Sequence, residues 1–204
     1  TRRDFVANVS HEMRTPLTVL VGFVETLRDA PTDALSHAQR QYYFGLMYEQ
    51  AQRMQALVTD LLTLSDLETS PSAELTPVNI ANLIDTGRAQ IEALSAGRHQ
   101  WSWQIEPNLN LAGNHSELAS AFSNLLTNAV RYTPDAGTIG VVWQREADGR
   151  ARFSVTDTGI GIASEHLSRL SERFYRVDRG RSRSLGGTGL GLAITKHVAM
   201  RHDS

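Results

Sequence analysis

His11 is followed by Glu12, and Thr15, Thr18 and Gly22 recur after it in steps of four, three and four. On a helix those steps line up one polar or small face opposite an apolar stripe, so the imidazole is expected at the surface. A neutral imidazole carries one N–H and one free lone pair. An acceptor on the N–H side makes the other nitrogen the stronger nucleophile, and Glu12 is the adjacent candidate. Pro16 has no N–H, so the Glu12 carbonyl loses its helical partner and a soft point is expected one turn past His11. Zinc proteolysis is excluded, because the motif His-Glu-x-x-His needs a second histidine where Thr15 stands.

A second set of residues suits a nucleotide. Asn124 and Asn128 lie four apart on an apolar helical segment, so both amides leave one face. Oxygen ligands of this kind suit Mg²⁺, which keeps several waters and bridges phosphates. Arg131 and Tyr132, a turn later, offer phosphate charge and a stacking ring. Asp157 ends an apolar strand and precedes Thr-Gly-Ile-Gly. Its carboxylate can accept from the adenine amino group and repels the guanine carbonyl. Gly159 and Gly161 let backbone approach a flat ligand. The run Gly187, Thr188, Gly189, Leu190, Gly191 opens the last helix, where free N–H groups suit phosphate. It is neither a Walker loop nor a dinucleotide fingerprint. Arg176, Arg179, Arg181 and Arg183 sit just before it, as a triphosphate clamp or as a solvated basic loop. A nucleophile and a nucleotide pocket in one chain point to phosphoryl transfer from ATP to His11.

The elements that must position these residues fall into two halves. Phe5, Val9, Met13, Leu17, Leu20, Val24 and Leu27 form one helical stripe over residues 1–30, with Pro31 and Asp33 punctuating its end. A second helix is expected from about Ser36 to Glu68, with Met47, Met54, Leu57, Leu61 and Leu64 as its seam and Val58, Leu62 and Leu67 widening it. One hairpin cannot bury both stripes; two copies packed as a four-helix bundle can. Residues 71–77 read as a linker between a hairpin domain, 1–70, and a second domain, 78–204. There a helix is expected over Val78–Leu94, a strand over Gln100–Ile105 and a short partner strand over Asn110–Gly113. A helix over Ser116–Tyr132 follows, then strands at Thr138–Gln144 and Ala151–Thr156 around the turn at Ala147–Gly149, and a last helix over Gly189–Met200. Strands and helices that do not alternate strictly predict an α+β sandwich, with helices on one face of a mixed sheet.

Composition narrows the class. The chain has 204 residues, 41 % hydrophobic and 21 % charged, with net charge −2 and basic residues in no single block, so nucleic acid is not an expected partner. It has no cysteine, which excludes disulfides and Cys-based zinc sites and fits a reducing compartment. No apolar run approaches the ~20 residues that span a bilayer, and no signal peptide is recognisable. The chain starts inside a helical pattern and reads as a piece of a longer protein.

With these residues assembled, the chain resembles the catalytic core of the sensor histidine kinases of two-component signalling, most of all their phosphate-regulon subgroup. Ser10–Leu17 looks like the family's H box and Asn124–Thr133 its N box. Asp157–Gly161 and Gly187–Gly191 look like the two glycine boxes, and Glu172–Arg176 like the phenylalanine box. The resemblance implies a dimerisation and phosphotransfer hairpin, homodimeric through residues 1–68, followed by a Bergerat-type ATP-binding domain shared with gyrase and Hsp90. It implies His11 as phosphoacceptor, Glu12 as assisting base, and Thr15 as the orienter of water when a response regulator is dephosphorylated. It implies Asn128 as Mg²⁺ ligand, Asp157 as adenine anchor, and a response-regulator receiver domain as partner. It implies a cytoplasmic segment of a bacterial inner-membrane parent, attached through N-terminal segments outside this chain. Arg131 stands where the family more usually has Lys, which keeps the charge and changes its geometry. The family's further C-terminal strands are not in this sequence, and an uncovered sheet edge is the expected consequence. Two alternatives remain: a degenerate kinase acting as phosphatase or scaffold, against which intact His11, Asn128 and Asp157 speak, and a Bergerat ATPase with no protein substrate, against which a histidine on a long hairpin speaks.

Overall fold

The computed structural model describes residues 2–31, 34–70, 75–177 and 186–202, with residues 2–4 described as backbone only. Helices α1 (Arg2–Asp29) and α2 (His37–Thr69) form the hairpin. A reciprocal cap starts α2: the Ser36 hydroxyl accepts from the Gln39 N–H while the Gln39 side chain accepts from the Ser36 N–H. α1 continues through Pro16 as one helix, and Pro16 is among the most deeply buried side chains. The hydroxyls of Ser10, Thr15, Thr18 and Thr26 each donate to the carbonyl four residues earlier.

The apolar stripes divide. Leu57, Leu64 and Leu67 of α2 are buried in one core with Leu190, Ile194 and Val198 of the second domain, and Phe5 and Met13 of α1 pack against it. Leu17, Val24, Val58 and Leu62 stay exposed. The seam expected to await a second chain is thus half covered from within this one.

Thr76–Asn79 form β1, whose first two residues fall in the anticipated linker, and Asn79 then caps α3 (Ile80–Ser95) by accepting from the Asn82 N–H. Val78 reads as helical by local pattern, but it is buried opposite Leu111 of β3 (Asn110–Gly113), and long-range pairing outweighs local periodicity. β3 was expected beside β2 (Gln100–Ile105); it pairs antiparallel with β1 instead. Asn108, at φ 61°, turns the chain away from β2, and the Leu109 carbonyl accepts from the Trp143 indole.

β2 runs parallel to β4 (Thr138–Arg145), which pairs antiparallel with β5 (Ala151–Asp157), giving a mixed sheet in the order β2-β4-β5. Ile139 and Val141 point inward from β4 onto Leu126, Ala129 and Val130 of α4 (His115–Tyr132) and Ile91 of α3. Phe122 stacks on Phe153. A short α5 (Ser164–Leu167) follows, and α6 (Gly191–Arg201) lies against both α4 and α2. This is the anticipated sandwich with helices on one sheet face. An open groove of about 420 Å³ is lined by Gln100, Trp101, Ser102, Gly140 and Thr156 of these strands.

Candidate functional site

The hairpin presents His11 on its exposed face, as the spacing predicts. Thr15 stands one turn on, half-buried, its hydroxyl 3.4 Å from the His11 carbonyl. Glu12 faces the other way. Its carboxylate is 3.1 Å from Arg176 and 3.7 Å from Arg53 of α2, with no bond to the His11 ring among the described residues. Two guanidiniums therefore turn the expected base away from the imidazole it was expected to assist.

On the sandwich side, α4 is the spine. Asn124 lies against Gly191 at the start of α6, where a Cβ would come 3.0 Å from the Asn124 amide oxygen. Asn128 is half-buried one turn on. The Tyr132 carbonyl accepts from the Ile160 N–H at 3.2 Å, and a Cβ on Gly159 would sit 2.7 Å from that carbonyl, so only glycine fits there. The Phe174 N–H donates to the Gly189 carbonyl at 2.8 Å, joining the phenylalanine box to the second glycine run. Leu190 is buried beneath it. Asp157 is exposed at the end of β5, and its carboxylate accepts from the Gly159 N–H at 2.8 Å. Gly161 takes φ 69° in open space. Arg179, Arg181 and Arg183 lie outside the described residues.

The two halves meet through carboxylates of the hairpin. Asp60 of α2 accepts from the Thr188 hydroxyl at 2.6 Å. Burial pushes the Asp60 carboxyl up from its ordinary value, opposed by the Thr188 bond and by the Arg131 charge. Burial likewise lowers Arg131, opposed by Tyr132 and Asp60 and reinforced by Arg176. Glu68 pairs with Arg173 and, at 3.4 Å, with His197. Arg173 also lies over the Phe5 ring. Between the halves, Glu12, Arg53, Arg176 and Thr188 line a cavity of about 10 Å³, room for a single water at most.

The sequence-derived residues Asn124, Arg131, Arg176, Thr188 and Gly191 are thus gathered on one side of α4, while Asp157 and Gly161 sit at its far end. Asp60 and Arg53 were missed. The signal was present: both lie on the α2 seam, Arg53 four residues before Leu57 and Asp60 four before Leu64, where a charge must find a buried partner.

The donor set fits a phosphate chain. The buried Asn124 Nδ2 and the Arg176 Nε and Nη1 have no hydrogen-bond partner among the described residues, although Arg176 Nη2 donates to the Gly187 carbonyl. No cluster of His, Cys, Asp and Glu able to hold a metal by itself occurs among the described residues. No described helix is long and apolar enough to cross a membrane.

Comparison with known proteins agrees with this geometry. Residues 1–70 match the His Kinase A (phospho-acceptor) domain, and residues 113–204 match the histidine kinase-, DNA gyrase B- and HSP90-like ATPase family. The phosphate regulon sensor protein PhoR of Pseudomonas aeruginosa is 52 % identical over 98 % of this chain and 45 % of its own length. The sensor-like histidine kinase SenX3 of Mycobacterium tuberculosis is 37 % identical over 99 % of this chain and 49 % of its own. The chain therefore spans about half the length of the curated relatives it matches. Full-length ShkA, solved with AMPPNP, superposes at a TM-score of 0.66 with 28 % identity, over 97 % of this chain and 41 % of that one. The chain belongs to the sensor histidine kinase family and resembles its phosphate-regulon sensors.

Proposed function

We propose that this chain is the catalytic core of an ATP-dependent protein-histidine kinase that phosphorylates His11 and passes the group to an aspartate of a response-regulator receiver domain. The observation that carries the reading is the Glu12–Arg176 ion pair at 3.1 Å. It brings the orphaned donors of the phosphate-side arginine to the residue adjoining an exposed imidazole. Bound with Mg²⁺, ATP supplies the γ-phosphoryl group, and transfer of that group needs positioning and charge neutralisation more than covalent help from protein.

The chain's own residues supply those needs. Asn124, Arg131 and Arg176 present donors and positive charge to phosphate oxygens, and Asn128 offers its amide oxygen to the metal. Asp157 selects the adenine amino group, while Gly159 and Gly161 let the backbone close on the ring. His11 offers a ring nitrogen from the hairpin surface. Glu12, once released from Arg176 and Arg53, accepts from the opposite N–H. Thr15, one turn on, holds water against a regulator's phospho-aspartate, which supports a phosphatase activity of the same surface. Exposed Leu17, Val24 and Leu62 support a homodimer through residues 1–68. The likeness to PhoR supports phosphate as the signal and a cytoplasm-facing position in a longer membrane sensor.

Incubation with γ-labelled ATP tests the reading. Acid-labile, base-stable label on the wild-type chain and none on His11→Gln is expected. Nucleotide hydrolysis without protein label would leave a Bergerat ATPase in its place.

A further inference from the structure

Ser95, His99 and Thr133 are the buried polar residues of the described core; Thr133 closes the N box, while Ser95 and His99 lie outside every motif. They form one chain of bonds. His99 Nε2 lies 2.9 Å from the Thr133 carbonyl, and His99 Nδ1 lies 2.8 Å from Ser95 Oγ. A carbonyl oxygen only accepts, so Nε2 carries the proton and donates to it. In the neutral ring Nδ1 is then the acceptor, and the Ser95 hydroxyl donates to it, holding that tautomer.

Thr133 is the residue on which α4 ends, its N–H donating to the Ala129 carbonyl. Its neighbour Tyr132 gives its carbonyl to the Ile160 N–H, within the loop that carries Asp157, Gly159 and Gly161. The same turn is held from the His99 side at two further points: the Ala136 N–H donates to the Arg98 carbonyl at 2.7 Å, and the Gln100 N–H donates to the Gly137 carbonyl at 2.9 Å. Gly137 is packed so tightly that a Cβ would lie 2.9 Å from the Pro134 carbonyl. The end of α4 is therefore clamped between the α3–β2 corner and the adenine-side loop.

We infer that His99 is a positioning residue for the nucleotide: its Nε2–H fixes the last turn of α4, and so the spacing between the phosphate side, Asn128 and Arg131, and the adenine side, Asp157 to Gly161. The inference rests on the nucleotide reading above. His99 touches no substrate and acts through the Thr133 and Tyr132 carbonyls. Without it the Thr133 carbonyl is a buried acceptor with nothing to accept, and the turn must move to find water.

Three variants separate positioning from packing. His99→Phe keeps the ring volume and removes both bonds. His99→Gln places an amide N–H where Nε2 stands. His99→Asn places its amide at the level of Nδ1 and does not reach Thr133. The readouts are the ATP dissociation constant by calorimetry and the hydrogen-exchange rate of the Ile160 amide in the nucleotide-free chain. His99→Phe and His99→Asn should each weaken ATP by roughly ten-fold, the scale of one lost buried hydrogen bond, and speed Ile160 exchange. His99→Gln should restore both readouts to near the wild type. Should His99→Phe fail to fold, the Gln and Asn pair carries the same contrast. Unchanged Ile160 exchange in His99→Asn overturns the inference, as does a His99→Gln variant damaged as badly as the others. A wild-type chain that binds no ATP overturns the nucleotide reading, and the Ile160 series then still decides whether His99 positions the loop.

Discussion

The hairpin and the sandwich treat their apolar side chains differently. Ile139 and Val141 of the sandwich are 0 % exposed, whereas Leu62 of the hairpin is 61 % exposed and Leu17 is 50 %. Two helices side by side shield only the strip between them, while a sheet covered by α3 and α4 closes over its inward face. Polar groups follow the same division. Hairpin hydroxyls at Ser10, Thr15, Thr18 and Thr26 bond to their own helix, so they add no tertiary constraint. Sandwich groups such as His99 and Trp143 bond across 34 positions of sequence. The hairpin is built to offer a surface and the sandwich to hold a shape, which suits a nucleophile on the first and a ligand pocket on the second.

The strongest test of that division is His11→Gln, which should abolish the acid-labile label while ATP affinity stays at the wild-type value by calorimetry. Label surviving on the variant would move the nucleophile off the hairpin. Next comes core truncation. Ile139→Ala should cost about 2–5 kcal/mol in urea unfolding. Leu62→Ala should stay within about 0.5 kcal/mol at concentrations where the chain is monomeric. Equal costs would mean that Leu62 is covered in solution, and sedimentation of Leu62→Asp would then report whether a second copy covers it.

Thr15→Ala separates two uses of one hairpin face. It should leave label gain by His11 unchanged and slow label loss from phospho-regulator by roughly 10²-fold, the cost of a mispositioned reactant. If both rates fall together, Thr15 is structural. Asp157→Asn addresses the sandwich alone: ATP binding should weaken by ~1–3 kcal/mol, a lost hydrogen bond to a charged group, with His11→Gln as the unaffected control.

The smallest expected effect lies where the two regions meet. Burial raises the Asp60 carboxyl in the folded chain above its ordinary value of 3.8, so the folded state takes up the proton first as pH falls. Asp60 therefore adds stability as pH drops through its raised folded value toward 3.8, and loses that contribution as pH rises back through it. Asp60→Asn should remove this slope from thermal unfolding scans while the remaining acid dependence persists. A wild type and variant with parallel pH profiles would mean that Asp60 is solvated and the halves are apart in solution.

Much of this was readable from local pattern. The helices at Arg2–Asp29 and His37–Thr69, the exposed His11, and the four-residue spacing that aims Asn124 and Asn128 off one face follow from periodicity and caps within a few turns of chain. The sequence alone also determined which residue types could do phosphoryl chemistry and in what order they occur. Tertiary structure decided the rest, because the deciding partners are distant in sequence. β3 chose β1 over β2, since burial of Val78 against Leu111 is settled by sheet pairing and not by neighbours. Arg176 found Glu12, Thr188 found Asp60 and His99 found Thr133. A buried charge or carbonyl must be paired, but only the fold determines which group, 34 or more residues away, arrives within 3 Å or so of it.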